Sequence, residues 1–162
     1  MTAEISETIA TAIAGLASKH AAHVAAAEVT LLAHPSEAVP ALIEELVNGR
    51  AAVQAAALLG RLGSDVAVTP LVDAARRGGE GLRWHAVIAL GQLGGDAALE
   101  ALFALANSDE PDIRRAVAWA LGARHEQSAR AKLDGLTGDP DPAVRDAADR
   151  AMRGAVARDS DA

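Results

Sequence analysis

The chain has 162 residues, which is enough for one domain with a hydrophobic core and does not require a second. Hydrophobic residues make up 51% of it, but aromatic residues only 2%, and the abundance of alanine favours closely packed helices. A formal net charge of −7 repels phosphate backbones and anionic lipids, so we expect neither a nucleic-acid nor a membrane partner. The absence of cysteine excludes disulfides and thiolate chemistry.

The first predicted element is a helix over residues 1–18 with one apolar stripe. Its members recur at helical spacing, and they are Ile5, Ile9, Ile13 and Leu16. Glu4 and Glu7 stand where a secretory signal would carry positive charge, which argues against export. We therefore expect a cytoplasmic protein. The excess of arginine over lysine, together with the alanine content, indicates a bacterial source.

Residues 19–49 predict a helix pair with a shortened turn. The stretch 21–33 is the most apolar of the chain, but Glu28 interrupts it and it is too short to cross a bilayer. Ser36 is the expected N-cap of the second helix, which continues through Leu42 and Leu46. This segment is a divergent first repeat.

A repeat of 31 residues dominates the rest of the chain. The motifs LLGRLG, ALGQLG and ALGARH place Gly60, Gly91 and Gly122 at this spacing, and Leu71 and Leu102 keep it in the second helix of each unit. Turns rich in Gly, Asp, Ser and Pro separate the helices, with Ser64 or Asp65, Asp96, Asp109 and Asp141 as expected N-caps. The next glycine position holds Arg153, as a terminal repeat allows.

These boundaries predict one domain over residues 1–157 with about ten helices. Residues 1–18 cap the open end, 19–49 form the divergent repeat, 50–140 the regular repeats and 141–157 a terminal helix. Residues 158–162 carry no pattern, and we expect a disordered tail there.

The segment RWHAVIALGQLGGDAALEALFALANSDEPDIRRAVAWALG resembles HEAT repeats of the short bacterial type, the class named after phycobilisome lyases. The resemblance is specific from about Ala51 to Met152. It implies an all-α, right-handed α-solenoid of stacked helix pairs with a concave and a convex face. Proteins of this class most often hold another macromolecule, and the fold does not imply one chemistry.

One side of each glycine-ended helix repeats its apolar residues and the other side varies. The repeating side carries Leu59, Leu90 and Leu121 one residue before the glycine position, and we expect it to form the core. The opposite side, here named the variable face, comprises the residues seven, six and three before that position. Its members are Val53, Gln54, Ala57, Trp84, His85, Ile88, Arg115, Ala116, Trp119, Asp146, Ala147 and Arg150.

The variable face is the predicted binding surface, because both tryptophans of the chain fall on it. The resemblance adds that the positions around Trp84, His85, Ile88 and Trp119 line the concave ligand-binding surface in this class. The predicted partner-binding residues are Trp84, Trp119, Ile88, His85, Arg115, Arg61, Gln54, Gln92 and Arg150. An alternative is that these side chains pack against a neighbouring helix, a loop or a second copy of the chain.

One further pattern has both a structural and a functional interpretation. Arg83, Arg114 and Arg145 recur at the margin of the core, where they form either a basic ladder or, as the resemblance implies, ties between layers, with Asp109, Glu110 and Asp141 nearby as partners. The structural interpretation is favoured.

No catalytic or metal site is predicted. His20 and His23 share one side of a helix, but no carboxylate completes a metal site. The pair His125 and Glu126 is similar to the metal-binding pairs of deoxyhypusine hydroxylases, yet it is single and falls in a turn. His85 lacks an identifiable catalytic partner. We predict neither a metal nor a cofactor.

The favoured function is a non-enzymatic module that binds a protein or peptide on its concave face. A partner with apolar groups and some acidic character would suit Arg61 and Arg115. The alternative is a lyase-like or pocket-forming protein that holds a tetrapyrrole-type molecule near Trp84, His85 and Trp119. DNA binding disagrees with the net charge, and a homo-oligomer is compatible with either function.

Overall fold

The computed structural model describes the backbone of residues 2–160 and the side chains of residues 4–154. In this part of the chain there are ten α-helices, one short 3-10 turn at Asp65–Ala67 and no strand. The helices are α1 (Thr2–Leu16), α2 (Ala21–Ala33), α3 (Pro35–Asn48), α4 (Ala52–Leu62), α5 (Val68–Arg77), α6 (Glu80–Leu93), α7 (Gly95–Leu105), α8 (Pro111–Gly122), α9 (Gln127–Leu136) and α10 (Pro142–Ser160).

The helices form two rows, as the repeat predicts. The first helices of the repeats, α4, α6, α8 and α10, pack side by side in chain order, whereas α3, α5, α7 and α9 contact each other much less. The tighter packing of the first row is expected on the inner side of a curved stack. The predicted all-α solenoid is confirmed.

Glycine sets the distance between neighbouring helices of the inner row. A Cβ atom added at Gly60 would lie 2.8 Å from the Cα atom of Ala89, and one at Gly122 would lie 2.5 Å from the Cβ atom of Ala151. Gly91 faces Ala120 in the same way, at 3.0 Å. A larger residue would push the helices apart, so the repeated glycine permits the close approach.

The N-terminal helix α1 packs its apolar side against the core of the same chain. Ile9 and Leu16 are buried, and Ile5 and Ile13 are half-buried against the same core. The predicted apolar stripe therefore packs against the core of its own chain.

Several predicted caps differ from the structure. α3 begins at Pro35 with His34 in the N-cap position, so Ser36 lies inside the helix. Proline suits the first helical position because its fixed φ is already helical and it has no N–H to satisfy. Asp141 does cap α10, since its Oδ1 accepts from the backbone N–H of Ala143 at 2.8 Å.

Of the other expected caps, Glu110 takes the N-cap position predicted for Asp109. Ser64 precedes the 3-10 turn but makes no side-chain cap there. Asp96 lies in the first turn of α7, whose N-cap is Gly94.

The last helix is longer than the prediction. α10 continues to Ser160, three residues beyond the expected end at 157, so most of the predicted disordered tail continues the helix. No glycine or proline follows Gly154 to interrupt it. Residues 161–162 lie outside the described residues.

The predicted core stripe is mostly buried, with Leu59, Leu90 and Leu121 at 0% exposure. Two alanines assigned to the variable face, Ala116 and Ala147, are buried instead. Their side chains are too short to reach past the neighbouring helix, whereas longer residues at the equivalent positions 54 and 85 reach the surface.

The recurring arginines tie adjacent layers together through the turns. Arg114 makes a bidentate ion pair with Asp139, with both N–O distances 2.8 Å, and donates to the carbonyl of Ser108. One layer earlier, Arg83 pairs with Glu110 through a single nitrogen, and its Nε donates to the carbonyl of Gly78 at 2.6 Å. Asp139 was not among the predicted partners, because it belongs to the following turn, 25 residues away.

We predict that Gly60→Ala lowers the free energy of unfolding by about 1–3 kcal/mol, because its methyl group would meet the backbone of Ala89. This loss opposes the gain of roughly 1 kcal/mol that alanine brings to a helix. Urea denaturation followed by circular dichroism measures it. The matched control is Gly135→Ala on α9, where nothing lies within 4 Å of the new methyl group. Equal stability of the two variants would contradict the role of the glycine.

We predict that Asp139→Asn costs about 2–4 kcal/mol at neutral pH, because it leaves the guanidinium of Arg114, whose side chain is only 12% exposed, without its anion. The hydrogen bonds from Arg114 also hold the pKa of the Asp139 carboxyl below its usual range. A depressed pKa in the folded state contributes stability above the unfolded pKa of about 3.9, and this stability is lost as the pH falls through the folded pKa.

The pH dependence gives a second readout of the same pair. Denaturation of the native chain should become easier as the pH drops below about 4, and Asp139→Asn should weaken that dependence. Asp96→Asn on the exposed start of α7 serves as the control. If Asp139→Asn lost stability at low pH as steeply as the native chain, the stabilising role of the Arg114–Asp139 pair would be contradicted.

Candidate functional site

The variable face brings residues of α6 and α8 side by side. Trp84 and Ile88 lie one turn apart on α6, and Arg115 and Trp119 occupy the equivalent positions on α8. The Cζ atom of Arg115 is 5.9 Å from the centroid of the Trp84 ring, which is a cation–π contact. The same register sets Ile88 level with Trp119.

The two tryptophans differ in exposure. The side chain of Trp119 is one of the few large apolar side chains that the structure leaves exposed, at 41%. Trp84 and Ile88 are half-buried and pack against the core. The exposed apolar surface of the face is therefore centred on α8, and the residues of α6 lie at its edge.

A groove of about 410 Å³ lies at the start of these two helices. Trp84, His85 and Arg115 line it together with Asp112 and Glu80, whereas Trp119 and Ile88 do not. The structure thus unites three of the predicted residues in one groove and leaves Trp119 outside it, one turn further along α8.

The orientation of His85 is fixed by its own helix. Its Nδ1 atom is 2.8 Å from the carbonyl oxygen of Gly81. A carbonyl only accepts, so Nδ1 carries the proton and, in the neutral ring, Nε2 is left as a hydrogen-bond acceptor. His85 can therefore accept from an N–H or O–H group in the groove.

Each arginine predicted for the site has an acidic partner. Arg61 pairs with Glu28 of α2 at 3.0 Å, and Arg115 pairs with Asp112 at 3.0 Å. Arg150 pairs with Asp146 at 2.9 Å. The face is consequently close to electrically compensated, and an acidic partner is not required. These pairs are exposed and contribute little to stability, so a partner can exchange them.

The two glutamines lie towards α4. Gln54 is half-buried on α4, and Gln92 is exposed near the end of α6. The Oε1 atom of Gln92 lies over Gly60, since it would be 2.9 Å from a Cβ atom there. Neither side chain lines the groove.

A buried arginine that sequence reasoning missed organises the turn after α8. Arg124 is 6% exposed and donates to the carbonyls of Gly91 and Gly95 and to both oxygens of Glu126. This pairing lowers the pKa of the Glu126 carboxyl. Glu126 is therefore engaged with Arg124. The equivalent position in the two preceding repeats is a leucine, and that departure from the repeat was the available signal.

The other candidate ligands do not converge. Across residues 4–154, no three side chains of His, Asp or Glu come together in a way that could hold a metal ion. His20 and His23 pack edge to face, with ring centroids 5.3 Å apart, and the Nδ1 atom of His23 lies 3.3 Å from the hydroxyl of Ser18. None of the described helices is long and apolar enough to span a membrane.

The family model for HEAT repeats matches residues 39–121 and 80–153. The chain therefore belongs to the HEAT-repeat family. No protein with a curated description matches it.

Two solved structures show the same fold. Human deoxyhypusine hydroxylase, solved in complex with glycerol, is 26% identical over 74% of this chain, with a TM-score of 0.62. The chain covers 43% of that enzyme, so it spans less than half of its length. The complex of CpcE and CpcF of phycocyanin lyase from Nostoc sp. PCC7120 is 24% identical, with a TM-score of 0.68 over 90% of this chain and 98% of that one.

We predict that Trp119→Ala lowers the free energy of unfolding by less than about 1 kcal/mol, because the side chain is exposed. Leu90→Ala should cost about 2–5 kcal/mol, since it opens a cavity in the core. Thermal denaturation of both variants and of Trp84→Ala, which should fall between them, measures the difference. A loss for Trp119→Ala as large as that for Leu90→Ala would place Trp119 in the core.

Proposed function

We propose that this protein is a non-enzymatic scaffold or adaptor that binds a protein or peptide on the inner side of its solenoid. The observation that carries the proposal is Trp119, a large apolar side chain that is 41% exposed in a chain with only three aromatic residues. Covering the exposed part of this indole ring with a partner would bury apolar surface, which stabilises a complex.

The surroundings of Trp119 support a binding hot spot. The half-buried Trp84 and Ile88 extend the apolar surface onto α6, and their anchoring against the core keeps them rigid before any partner arrives. The ion pairs of Arg61, Arg115 and Arg150 form a polar rim. Rigid aromatic side chains inside a polar rim are the usual composition of a hot spot.

The charges of the rim define the partner. Because each arginine already has an acidic neighbour, net attraction over this face is weak. The expected partner is a segment whose large apolar side chains cover Trp119 and whose polar groups pair with the rim. The hydrogen-bond acceptor of His85 would receive an N–H or O–H group in the groove beside it.

The test is a pull-down from lysate of the source organism, followed by mass spectrometry. The bait is the full chain, compared with a Trp84→Ala/Trp119→Ala variant of unchanged helicity. We predict that each truncation weakens binding by roughly 1–4 kcal/mol, so that a specific prey is lost.

The matched control removes exposed apolar surface elsewhere. Val29→Ala/Val47→Ala changes two valines on α2 and α3 that are 69% and 67% exposed. Prey retained by this control and lost by the tryptophan variant would support the proposal. Identical prey with all three baits, or none with any, would overturn it.

A second candidate function is a small-molecule pocket of the tetrapyrrole type. The groove of about 410 Å³ with Trp84, His85 and Arg115 favours it, as does the shared fold with a phycocyanin lyase complex. Titration with a linear tetrapyrrole such as biliverdin, followed by its absorbance, tests this candidate. Binding that Trp84→Ala abolishes and Trp119→Ala leaves intact would favour the pocket over the adaptor.

A further inference from the structure

The acidic residues of this protein are unevenly distributed. The first 49 residues contain six glutamates and a single lysine, so most of the formal net charge of −7 resides there. Glu28 is neutralised by Arg61, and Glu45 accepts the backbone N–H of Ala51 at 2.7 Å and closes the turn after α3. Excess negative charge is therefore left on α1 and α3.

A groove of about 640 Å³ runs between these two helices. Its floor is apolar and comes from one stripe of each helix: Ala10 and Ile13 on α1, and Pro40 and Ala41 on α3. Ile13 and Ala41 are half-buried, and Ala10 and Pro40 are exposed. The floor is therefore open to a partner that brings apolar side chains.

Glu37 and Glu44 stand along the α3 side of the groove. Both are exposed, and neither makes a side-chain hydrogen bond or ion pair within residues 4–154. No lysine or arginine lines the groove. The two glutamates are seven residues apart, which separates them by about 10 Å, or two helical turns.

We propose that the α1–α3 groove is a docking surface for a basic amphipathic helix of another protein. The apolar stripe of that helix would lie on Ala10, Ile13 and Ala41, and two lysines or arginines seven residues apart would pair with Glu37 and Glu44. A helix laid in an apolar groove between two helices is a common recognition mode, and the unpaired carboxylates supply the charge complementarity.

A second copy of this chain does not provide such a helix. None of the helices α1 to α10 carries two cations seven residues apart. On α10, Arg145 is followed directly by Asp146, and Arg150 is preceded directly by Asp149. A distinct basic partner therefore fits the groove better than self-association.

This surface is separate from the variable face. α1 and α3 belong to the first two layers and to the row opposite α6 and α8. The groove can therefore be tested independently of Trp84 and Trp119, and its occupant differs in charge from the apolar segment proposed above.

The experiment uses a labelled synthetic helix of leucine and lysine, about 18 residues long, with lysines seven residues apart. Fluorescence anisotropy at physiological ionic strength measures its affinity for the full chain. We expect Glu37→Gln/Glu44→Gln to weaken binding about fivefold or more. Ala10→Gln, which places a long neutral side chain on the floor, should weaken it without lowering the melting temperature.

The control Asp96→Asn/Glu100→Gln removes the same charge from an exposed stretch of α7. Unchanged affinity in this control and in Trp84→Ala/Trp119→Ala would support the groove. If Asp96→Asn/Glu100→Gln weakened binding as much as Glu37→Gln/Glu44→Gln, only the bulk charge would attract the peptide, and the proposal would be overturned. Absence of binding, or a dimer in light scattering that Glu37→Gln/Glu44→Gln dissociates, would also overturn it.

Discussion

The close approach of α4, α6, α8 and α10 is the constraint on which the rest of this structure depends. Glycine on one helix faces alanine on the next, and at Gly60 the backbone of Ala89 leaves no room for a methyl group. Three such contacts, spaced by the repeat, hold the inner row together while the outer row contacts itself much less. The side-by-side register of equivalent residues follows from this contact.

That register turns a repeat in the sequence into a continuous surface. Residues 31 positions apart become neighbours, which is how Arg115 comes to lie over Trp84. The repeating side of each helix is buried in the core. The variable side contributes less to that packing, with Trp84 and Ile88 half-buried at its edge, so it can carry Trp119, the paired arginines and His85 at the surface.

The polar contacts join the turns of the repeats, whereas the apolar contacts hold the helices together. Arg114 with Asp139, Arg83 with Glu110 and Arg124 with the carbonyls of Gly91 and Gly95 each join one turn to the next. The three arginines are buried or half-buried and each is paired, although Glu110 is exposed, so they fix the turns between rigid helices. The glutamates at the N-terminal end contrast with them, because Glu37 and Glu44 remain exposed and unpaired and give that end a surface of its own.

The 31-residue period was sufficient to predict the helices, the solenoid and the side on which Trp84 and Trp119 lie, because the position of a residue around a helix follows from counting alone. Counting did not predict Asp139 as the partner of Arg114, Glu28 as the partner of Arg61, or the separation of Trp119 from the groove at Trp84. Those pairings, like the groove between α1 and α3, depend on how whole helices are placed against each other. Only the tertiary structure decided them, since rotamers and distances across segments some 25 to 33 residues apart leave no local pattern in the sequence.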